Sequence, residues 1–225
     1  MSAPATPPCT PSPSTPPTFC VVVPVKPPAF GKSRLVGLPD DVRRGLAAAF
    51  ALDTIAACRG ARRVGEVLVA TDDAAFAMAV RAAGCVAVPD AVTGDLNSSL
   101  RQAALEAARR WPDLQPVALC ADLPALRPAD LDEALAVVEA RRDQSFFVAD
   151  AAGSGTTLYT APVEQFAPRF GVDSRAAHDE LALEVRGDLA SLRLDVDDLD
   201  DLVQALTLGV GPRTRELAAS LDLAP

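Results

Sequence analysis

The sequence predicts an α/β protein in which helices cover both faces of a mostly parallel sheet. Short β-branched runs alternate along the chain with Ala-rich segments of helical period. The predicted strands contain few polar positions, which is typical of strands buried on both faces. Residues 150–178 break this alternation because Gly, Thr and Pro replace the helix signals. We expect that stretch to hold a hairpin or an active-site loop.

Each element is predicted from a local pattern. Runs of β-branched and other apolar residues predict strands at residues 19–23, 66–70, 85–88, 116–121, 145–149 and 191–196. Apolar residues at helical spacing predict helices at residues 39–58, 74–83, 128–142 and 179–185, one opened by Asn97-Ser98-Ser99, and two after residue 196. Prolines at positions 39 and 128 mark helix starts.

The composition limits the classes of function. Of 225 residues, 49% are hydrophobic, so the chain can bury a full core, and we expect a single domain over residues 19–225. The net charge of -9 argues against a nucleic-acid-binding protein and against a polybasic membrane-surface protein.

The beginning of the chain differs from the rest. Residues 1–18 contain seven prolines and no charge, which predicts a disordered leader. They lack the basic start and apolar run of a signal peptide, so we expect a cytoplasmic protein. The widely spaced Cys20, Cys85 and Cys120 lie in or beside apolar runs, and we interpret them as small buried hydrophobes.

The loop after the first strand concentrates positive charge. Only two of the 21 basic residues are lysines, and both Lys26 and Lys32 lie in this loop with Ser33 and Arg34. Lysines supply point charges, arginine supplies a bidentate fork, and Gly31 permits close approach of the backbone, so the loop is predicted to bind phosphate. It matches neither the P-loop nor the dinucleotide-binding pattern. The alternative is a solvated basic loop.

Aspartates follow two predicted strands. Asp122 follows the strand at 116–121, and five aspartates lie within positions 195–201. In strand geometry Asp195 and Asp197 point to the same side, while the aspartates at 198–201 can cap the next helix. Ligands bind at the carboxyl ends of strands in such sheets, and carboxylates bind Mg²⁺. We therefore predict a magnesium site, although Asp122 could instead cap a turn.

The basic loop and the acidic strand ends together indicate a reaction. A triphosphate site and Mg²⁺ are what attack on a nucleotide phosphate requires, with pyrophosphate as the leaving group. The sole histidine, His178, has no nucleophile elbow nearby. We interpret it as a residue at a helix start, with a role at the substrate as the alternative.

Several short motifs occur in a fixed order over residues 19–210. They are V-P-V-K-P at 23–27, G-K-S-R-L at 31–35, Asn97 with its helix, A-D-L-P at 121–124, G-T-T-L at 155–158, R-F-G-V-D-S at 169–174 and L-D-V-D at 194–197. Together they resemble the guanylyltransferases of coenzyme F-420 biosynthesis, which act on phosphoenolpyruvate or 2-phospho-L-lactate. The resemblance implies a three-layer α/β/α nucleotidyltransferase fold of glycosyltransferase-A type, with a mixed, mainly parallel sheet.

The resemblance also implies roles for residues. Those implied to bind the nucleotide are Lys26, Lys32, Ser33, Arg34 and Asn97, although Asn97 could instead cap its helix. Those implied in catalysis are Lys26, Lys32 and Asp122. The implied ligands of Mg²⁺ are Asp122 and Asp197, with Asp195 as the alternative because this chain has Asp-Leu where the family pattern has Thr-Pro. The three-carbon acid is implied to contact Thr156, Gly171 and Ser174.

The implied reaction is the transfer of GMP from GTP to phosphoenolpyruvate, with pyrophosphate as the second product. The Ala-, Arg- and Pro-rich, lysine-poor composition suits a high-GC actinobacterial source, and by that association the resemblance favours phosphoenolpyruvate over 2-phospho-L-lactate as acceptor. The same reaction on 2-phospho-L-lactate or 3-phosphoglycerate is the alternative. A molybdopterin nucleotidyltransferase and a non-catalytic nucleotide-binding protein are more distant alternatives. The expected partners are GTP, phosphoenolpyruvate and a downstream transferase of the same pathway, and a homodimer is compatible with the sequence.

Overall fold

The described residues are built on one seven-stranded sheet. The computed structural model describes residues 17–26, 35, 37–90, 92 and 94–221. The strands are β1 Phe19–Pro24, β2 Val64–Ala70, β3 Val86–Val88, β4 Gln115–Leu119, β5 Phe146–Ala149, β6 Thr156–Thr160 and β7 Leu183–Glu184. Their order across the sheet is β3-β2-β1-β4-β6-β5-β7. Of the described strands, β6 alone runs against its neighbours, because it pairs antiparallel with both β4 and β5.

Eight α-helices connect and follow these strands in the part of the chain that the structure describes. They are α1 Asp40–Gly60, α2 Ala74–Ala82, α3 Leu96–Arg110, α4 Pro128–Glu139, α5 Ser174–Asp179, α6 Ala190–Arg193, α7 Leu199–Leu208 and α8 Pro212–Ser220. A short 3-10 helix covers Val163–Gln165. The helices predicted at 39–58, 74–83 and 128–142 are thus confirmed as α1, α2 and α4, with small differences at their ends.

Helices cover both faces of the sheet, and β1 is therefore buried on both of its faces. Phe19, Val21 and Val23 lie in the core shared with α1, α2 and α4. Cys20 and Val22 point to the other face, where α3 packs. A strand buried on both faces is typical of a parallel sheet between two helix layers. The predicted three-layer α/β/α class is confirmed.

Asp53 of α1 caps α8 across the fold. Its carboxylate accepts hydrogen bonds from the backbone N–H groups of Thr214 at 2.8 Å and Arg213 at 3.3 Å. The N-cap residue of α8 is Gly211, which has no side chain to offer. A Cβ at position 211 would lie 2.4 Å from Cγ of Asp53, so this contact requires glycine.

Residues 150–178, predicted to hold a hairpin or an active-site loop, contain the turn and the second strand of a hairpin. Strands β5 and β6 pair antiparallel and are joined by residues 150–155. Because β5 runs in the same direction as β4, this turn lies at the carboxyl edge of the sheet. The turn therefore lies at the edge where parallel sheets bind ligands.

The helix predicted at 179–185 is wrong. Helix α5 ends at Asp179, and β7 follows at the outer edge of β5. The N–H groups of Leu183 and Val185 donate to the carbonyls of Ser145 and Phe147 at 2.9 and 2.8 Å. The open edge of β5 thus determines the conformation of this segment, which local helix propensity does not reveal.

The strand predicted at 191–196 is also wrong. Residues 190–193 form the single turn α6, and the chain then extends outside the sheet. The hydroxyl and the N–H of Ser191 donate to Oδ2 of Asp130 at 2.7 and 3.1 Å. These bonds hold the turn against the first turn of α4.

Two predictions fall on parts of the chain outside the described residues. These are the leader, of which residues 1–16 are not described, and residues 27–34 of the basic loop. Among the described residues, the helices are too short or too polar for any of them to cross a membrane.

Candidate active site

Three carboxylates meet at the carboxyl edge of the sheet. Asp122 follows β4, while Asp195 and Asp197 lie on the extended chain between α6 and α7. One carboxylate oxygen of each lies within 4.8 Å of the others. The N–H of Val196 donates to the carbonyl of Asp122 at 3.0 Å and holds the two segments together. The structure therefore brings together the three aspartates named as candidate metal ligands.

The charges of this cluster repel one another. Burial, followed by the charges of Asp122 and Asp197, raises the pKa of Asp195 to about 7. A divalent cation among the three carboxylates would remove this repulsion, and carboxylate oxygens are the ligands that Mg²⁺ prefers. The donor set therefore fits a magnesium ion, and both Asp195 and Asp197 face Asp122.

The remaining aspartates of the acidic run are structural. Oδ1 of Asp198 accepts hydrogen bonds from the N–H groups of Asp200 and Asp201, each at 3.0 Å. Oδ2 of Asp201 accepts from the N–H of Asp198 at 3.2 Å and from the N–H of Asp197 at 3.0 Å. This capping box begins α7. The prediction that residues 198–201 cap the following helix is confirmed.

A threonine on α1 supports Asp122. The hydroxyl of Thr54, buried on α1, accepts the N–H of Leu123 at 3.1 Å and lies 3.2 Å from the carbonyl of Ala121. These two residues flank Asp122 in the chain. Thr54 is therefore a positioning residue, and a lone threonine in an Ala-rich helix carries no local signal of that role.

A cavity of about 430 Å³ adjoins the acidic cluster. Asp195 and Asp197 contribute to its lining. Thr156, at the start of β6, and Gly171 and Ser174, beside the start of α5, also line it. The structure thus brings the three residues implied to bind the acceptor next to two of the carboxylates.

The turn from β5 to β6 lines the same cavity and is held by its own aspartate. The carboxylate of Asp150 accepts hydrogen bonds from the N–H groups of Ser154 at 3.0 Å and Gly155 at 2.8 Å. A Cβ at position 155 would lie 2.4 Å from Oδ2 of Asp150. Glycine at position 155 therefore allows the turn to close on Asp150, and the turn presents Thr156 in a fixed position.

His178 is buried beside Thr156 and lies near the end of α5, so its predicted place at a helix start is wrong. Its Nδ1 lies 2.9 Å from the carbonyl of Ser174 and 3.0 Å from Oγ1 of Thr156. Its Nε2 accepts the N–H of Arg169 at 2.9 Å. Because a backbone N–H can only donate, this network assigns the single ring proton to Nδ1. Burial lowers the pKa of His178 to about 4, in agreement with a neutral ring.

Asn97 does not cap α3, so the capping prediction is wrong. Asp95 is the N-cap residue, and its carboxylate accepts the N–H groups of Asn97 and Ser98. The Asn97 side chain instead holds Phe170: Nδ2 donates to its carbonyl at 2.9 Å, and Oδ1 accepts its N–H at 2.7 Å. Asn97 therefore fixes the loop that leads to Gly171.

The predicted phosphate loop is described only at its beginning. Lys26 is exposed just beyond the end of β1, the strand that pairs with β4. This places Lys26 at the same edge of the sheet as Asp122. Lys32, Ser33 and Arg34 lie outside the described residues, and their role stays a prediction.

Two of the three cysteines are buried as predicted. Cys20 and Cys85 lie inside the protein, and burial raises the pKa of Cys20 to about 12. Cys120 differs because it is only half-buried and lines the cavity beside the acidic cluster. Its Sγ lies 3.4 Å from the carbonyl of Thr156.

The three-layer fold, with an acidic cluster at the carboxyl edge of its sheet, is of the nucleotidyltransferase type. The same architecture occurs in the solved structure of a cytidylyltransferase from Leptospira borgpetersenii. That structure aligns with 92% of this chain and 94% of its own at a TM-score of 0.56 and 12% identity. At 12% identity, this similarity shows a shared fold.

Sequence comparisons narrow the class to one family. Residues 19–224 match the family described as guanylyl transferase, CofC-like, and the chain belongs to this family. A phosphoenolpyruvate guanylyltransferase of Streptomyces coelicolor is 48% identical over 210 residues, which are 92% of this chain and 98% of the relative. Another, from Thermomonospora curvata, is 45% identical over 210 residues, or 91% of this chain and 90% of the relative. The resemblance noted in the sequence is confirmed.

Proposed function

We propose that this chain transfers the guanylyl group of GTP to phosphoenolpyruvate. The products are enolpyruvyl-diphospho-5'-guanosine and pyrophosphate, and the reaction is a step of coenzyme F-420 biosynthesis. The family and the names of its relatives support this reaction. One structural observation carries the proposal: Asp195, Asp197, Thr156, Gly171 and Ser174 line a single cavity. A small phosphorylated acid in that cavity would lie beside two of the carboxylates that would hold the metal.

The acceptor side of the cavity contains hydroxyl groups and a stretch of backbone that no side chain covers. Thr156 and Ser174 can donate hydroxyl hydrogen bonds to phosphate or carboxylate oxygens. Gly171 has a φ of 138°, and a Cβ there would meet no atom within 4 Å. The backbone at position 171 is therefore accessible to a small anion, and any side chain would occupy that space. This chemistry suits a three-carbon phospho-acid.

The reaction depends on positioning and charge more than on proton transfer. A phosphate oxygen of the acceptor attacks the α-phosphorus of GTP. The new P–O bond forms as the bond from the α-phosphorus to the oxygen bridging the α- and β-phosphates breaks, and the electron pair leaves with pyrophosphate. The attacking oxygen is already an anion, so no general base is needed, which agrees with a neutral, hydrogen-bonded His178. Lys26 and Lys32 stabilise the charge of the leaving group.

The acidic cluster would serve this reaction by holding a cation. Asp122, Asp195 and Asp197 would hold a magnesium ion, which would supply positive charge to offset the charge developing on the phosphates. The protein fixes the three carboxylates through the bond from Val196 to Asp122 and through the contacts of Thr54. Their mutual repulsion without a cation makes the site favourable for binding one.

On the donor side, we assign the triphosphate to the basic loop. Ser33 and Arg34 act with the two lysines there. Asn97 stays a proposed nucleotide-binding residue, and the bonds of its side chain to Phe170 would hold it in place. The setting we propose is the cytoplasm, with a downstream transferase of the same pathway as the consumer of the product and a homodimer as a compatible assembly.

A substrate panel tests the proposal. GTP and Mg²⁺ are incubated with phosphoenolpyruvate, 2-phospho-L-lactate or 3-phosphoglycerate, and the product is identified by its mass. We expect product mainly with phosphoenolpyruvate. Asp122→Ala should abolish turnover without unfolding the protein, while Asp143→Ala, which removes an exposed aspartate, should retain full turnover. Full activity of Asp122→Ala, or no product with any acceptor, would sink the assignment.

A further inference from the structure

A carboxylate on the edge strand β7 lies between two arginines. Oε2 of Glu184 accepts a hydrogen bond from Nη2 of Arg175 at 3.2 Å, and its Oε1 lies 3.9 Å from Nη1 of Arg193. Exposed ion pairs contribute little to stability, but the side chain of Glu184 is only 17% exposed, so water screens these contacts less. Each arginine has further donors, and these reach the backbone beside the acceptor cavity.

Arg175 joins the turn between β5 and β6 to the start of α5. Its Nη1 donates to the carbonyl of Gly153 at 3.1 Å, and its backbone N–H donates to the carbonyl of Ser154 at 3.1 Å. The turn leads into Thr156, and Arg175 directly follows Ser174 in the chain. Thr156 and Ser174 both line the acceptor cavity. The contacts of Arg175 therefore set the position of one of these residues relative to the other.

Arg193 joins the same turn to the acidic cluster. Its Nη1 donates to the carbonyl of Ala149 at 2.9 Å, and its Nη2 donates to the carbonyl of Val185 at 2.9 Å. Its own carbonyl accepts the N–H of Ala151 at 2.8 Å and the N–H of Asp195 at 3.2 Å. Arg193 therefore fixes the beginning of the turn relative to a candidate metal ligand.

Glu184 is itself held to the sheet. It lies in register with Phe147 of β5, and the N–H of the next residue, Val185, donates to the carbonyl of Phe147 at 2.8 Å. Its carboxylate offsets the like charges of the two guanidinium groups and restricts their long side chains to one arrangement. Removal of the carboxylate would leave these charges to repel each other and would loosen both arginines.

We propose that Glu184 is a positioning residue for the acceptor. Through Arg175 and Arg193, it fixes the hydroxyl-bearing wall of the cavity relative to Asp195. The inference rests on the proposed function for the identity of the acceptor. Glu184 acts through the two arginines and makes no contact with the substrate itself, so its loss should change the use of the acceptor and spare the use of GTP.

Initial rates with each substrate varied in turn test the proposal. At saturating GTP, Glu184→Ala should lower kcat/KM for phosphoenolpyruvate about 10-fold, because the acceptor is held less accurately, while the KM for GTP stays unchanged. Glu184→Gln keeps an oxygen that can accept from Arg175 and should recover part of the loss. Arg175→Ala should cause a similar loss, and the double variant with Glu184→Ala should lose little more, because both changes break one path.

Glu139→Ala is the matched control. The side chain of Glu139 is 24% exposed and also bonds to an arginine, with Oε2 at 3.3 Å from Nε of Arg63. Its Oε1 accepts the hydroxyl of Thr18 at 3.0 Å, just before β1 and therefore at the opposite edge of the sheet. Glu139→Ala should retain the wild-type kinetic constants for both substrates.

Amide hydrogen exchange of residues 150–156, measured by mass spectrometry, gives a readout that needs no substrate. If Glu184 fixes the turn, the N–H groups of Ser154 and Gly155, which donate to Asp150, should exchange faster in Glu184→Ala than in the wild type and Glu139→Ala.

The outcomes separate this inference from the proposed function. Unchanged exchange of the turn in Glu184→Ala, unchanged kcat/KM for phosphoenolpyruvate, or equal losses for both substrates would overturn the inference. Losses from Glu184→Ala and Arg175→Ala that add in full would also overturn it, because Glu184 would not act through Arg175. If the wild type turns over none of the acceptors, the proposed reaction is wrong, and the exchange of the turn still decides whether Glu184 holds the cavity wall.

Discussion

Oγ1 of Thr156 lies 3.0 Å from Nδ1 of His178, and the same ring nitrogen lies 2.9 Å from the carbonyl of Ser174. One buried imidazole therefore contacts both hydroxyl-bearing residues of the proposed acceptor site. Tyr159 stacks on this ring at a centroid distance of 4.8 Å, and Phe170 contacts it edge-on at 5.3 Å. His178 is thus a positioning residue that fixes the start of β6 relative to α5.

Replacement of His178 should affect the acceptor and spare the donor. His178→Phe retains an aromatic ring but removes the contacts with Thr156 and Ser174, and we expect the KM for phosphoenolpyruvate to rise about 10-fold. The KM for GTP should stay unchanged. His178→Gln, which can restore part of the hydrogen bonding, should recover part of the loss. Initial rates with each substrate varied in turn measure this, and equal changes in both KM values would contradict the positioning role.

The neutral state of His178 predicts a pH dependence of stability. Burial lowers its pKa from 6.5 to about 4. Between pH 6.5 and pH 4, His178 therefore binds a proton in the unfolded chain but not in the folded protein. Lowering the pH in this range favours unfolding. Neutral His178 contributes fully to the free energy of unfolding above pH 6.5, and this contribution is lost as the pH falls towards 4. At pH 4.5 the free energy of unfolding is lower by about 2 to 3 kcal/mol for this reason.

Urea unfolding of the wild type and His178→Phe at several pH values isolates this contribution. Other groups titrate in both proteins, so the relevant quantity is the difference between their free energies of unfolding. We expect this difference to be constant above pH 7. Below pH 6 the free energy of unfolding of the wild type should fall relative to that of His178→Phe. A difference that does not vary with pH would contradict a neutral, buried His178.

The acidic site was predictable although its local structure was not. The predicted strand at 191–196 is absent, yet Asp195 and Asp197 face Asp122 together. The side chain of Val196 between them is fully buried, and its N–H donates to the carbonyl of Asp122. Successive side chains of this extended segment therefore still point to opposite sides. The side on which each residue points depends on this alternation rather than on pairing within the sheet.

The supporting contacts were not predictable because they join residues far apart in sequence. Asn97 bonds to Phe170, 73 residues away, and Thr54 bonds to Leu123, 69 residues away. A local pattern contains no information about such a partner. For the same reason Asn97 looked like a helix cap, although Asp95 two positions earlier performs that role.

Thr54→Val should impair catalysis through Asp122. The change keeps the shape of the side chain but removes the hydroxyl that accepts the N–H of Leu123. We expect a loss of about 1–3 kcal/mol in the free energy of unfolding, because a buried N–H loses its partner. We also expect kcat to fall and the Mg²⁺ concentration at half-maximal rate to rise.

Titration of the rate with Mg²⁺ measures this effect. Thr54→Ser keeps the hydroxyl and should restore the wild-type requirement for Mg²⁺. Thr207→Val is the matched control, since its exposed hydroxyl bonds to the carbonyl four residues earlier and touches no part of the site. An unchanged requirement for Mg²⁺ in Thr54→Val would show that Asp122 is held without Thr54.

The two lysines should act on GTP. Lys26→Ala and Lys32→Ala each remove a point charge from the proposed triphosphate site, and we expect the KM for GTP to rise about 10-fold or more in each. The KM for phosphoenolpyruvate should change less. Arg186→Ala, at an exposed arginine, controls for the loss of one positive charge. If all three variants behave alike, the effect comes from net charge and the basic loop does not bind the triphosphate.

Helix α8 depends on α1 for its N-terminal cap. Asp53 is 4% exposed and accepts the N–H groups of Arg213 and Thr214 at a helix end where Gly211 supplies no cap. Asp53→Ala leaves both N–H groups without an acceptor, and we expect the free energy of unfolding to fall by about 2–3 kcal/mol. Asp53→Asn keeps an acceptor oxygen and should lose less. Urea unfolding at pH 7 measures both variants beside Asp143→Ala, the exposed control, and equal stability of Asp53→Ala and this control would show that α8 needs no cap from α1.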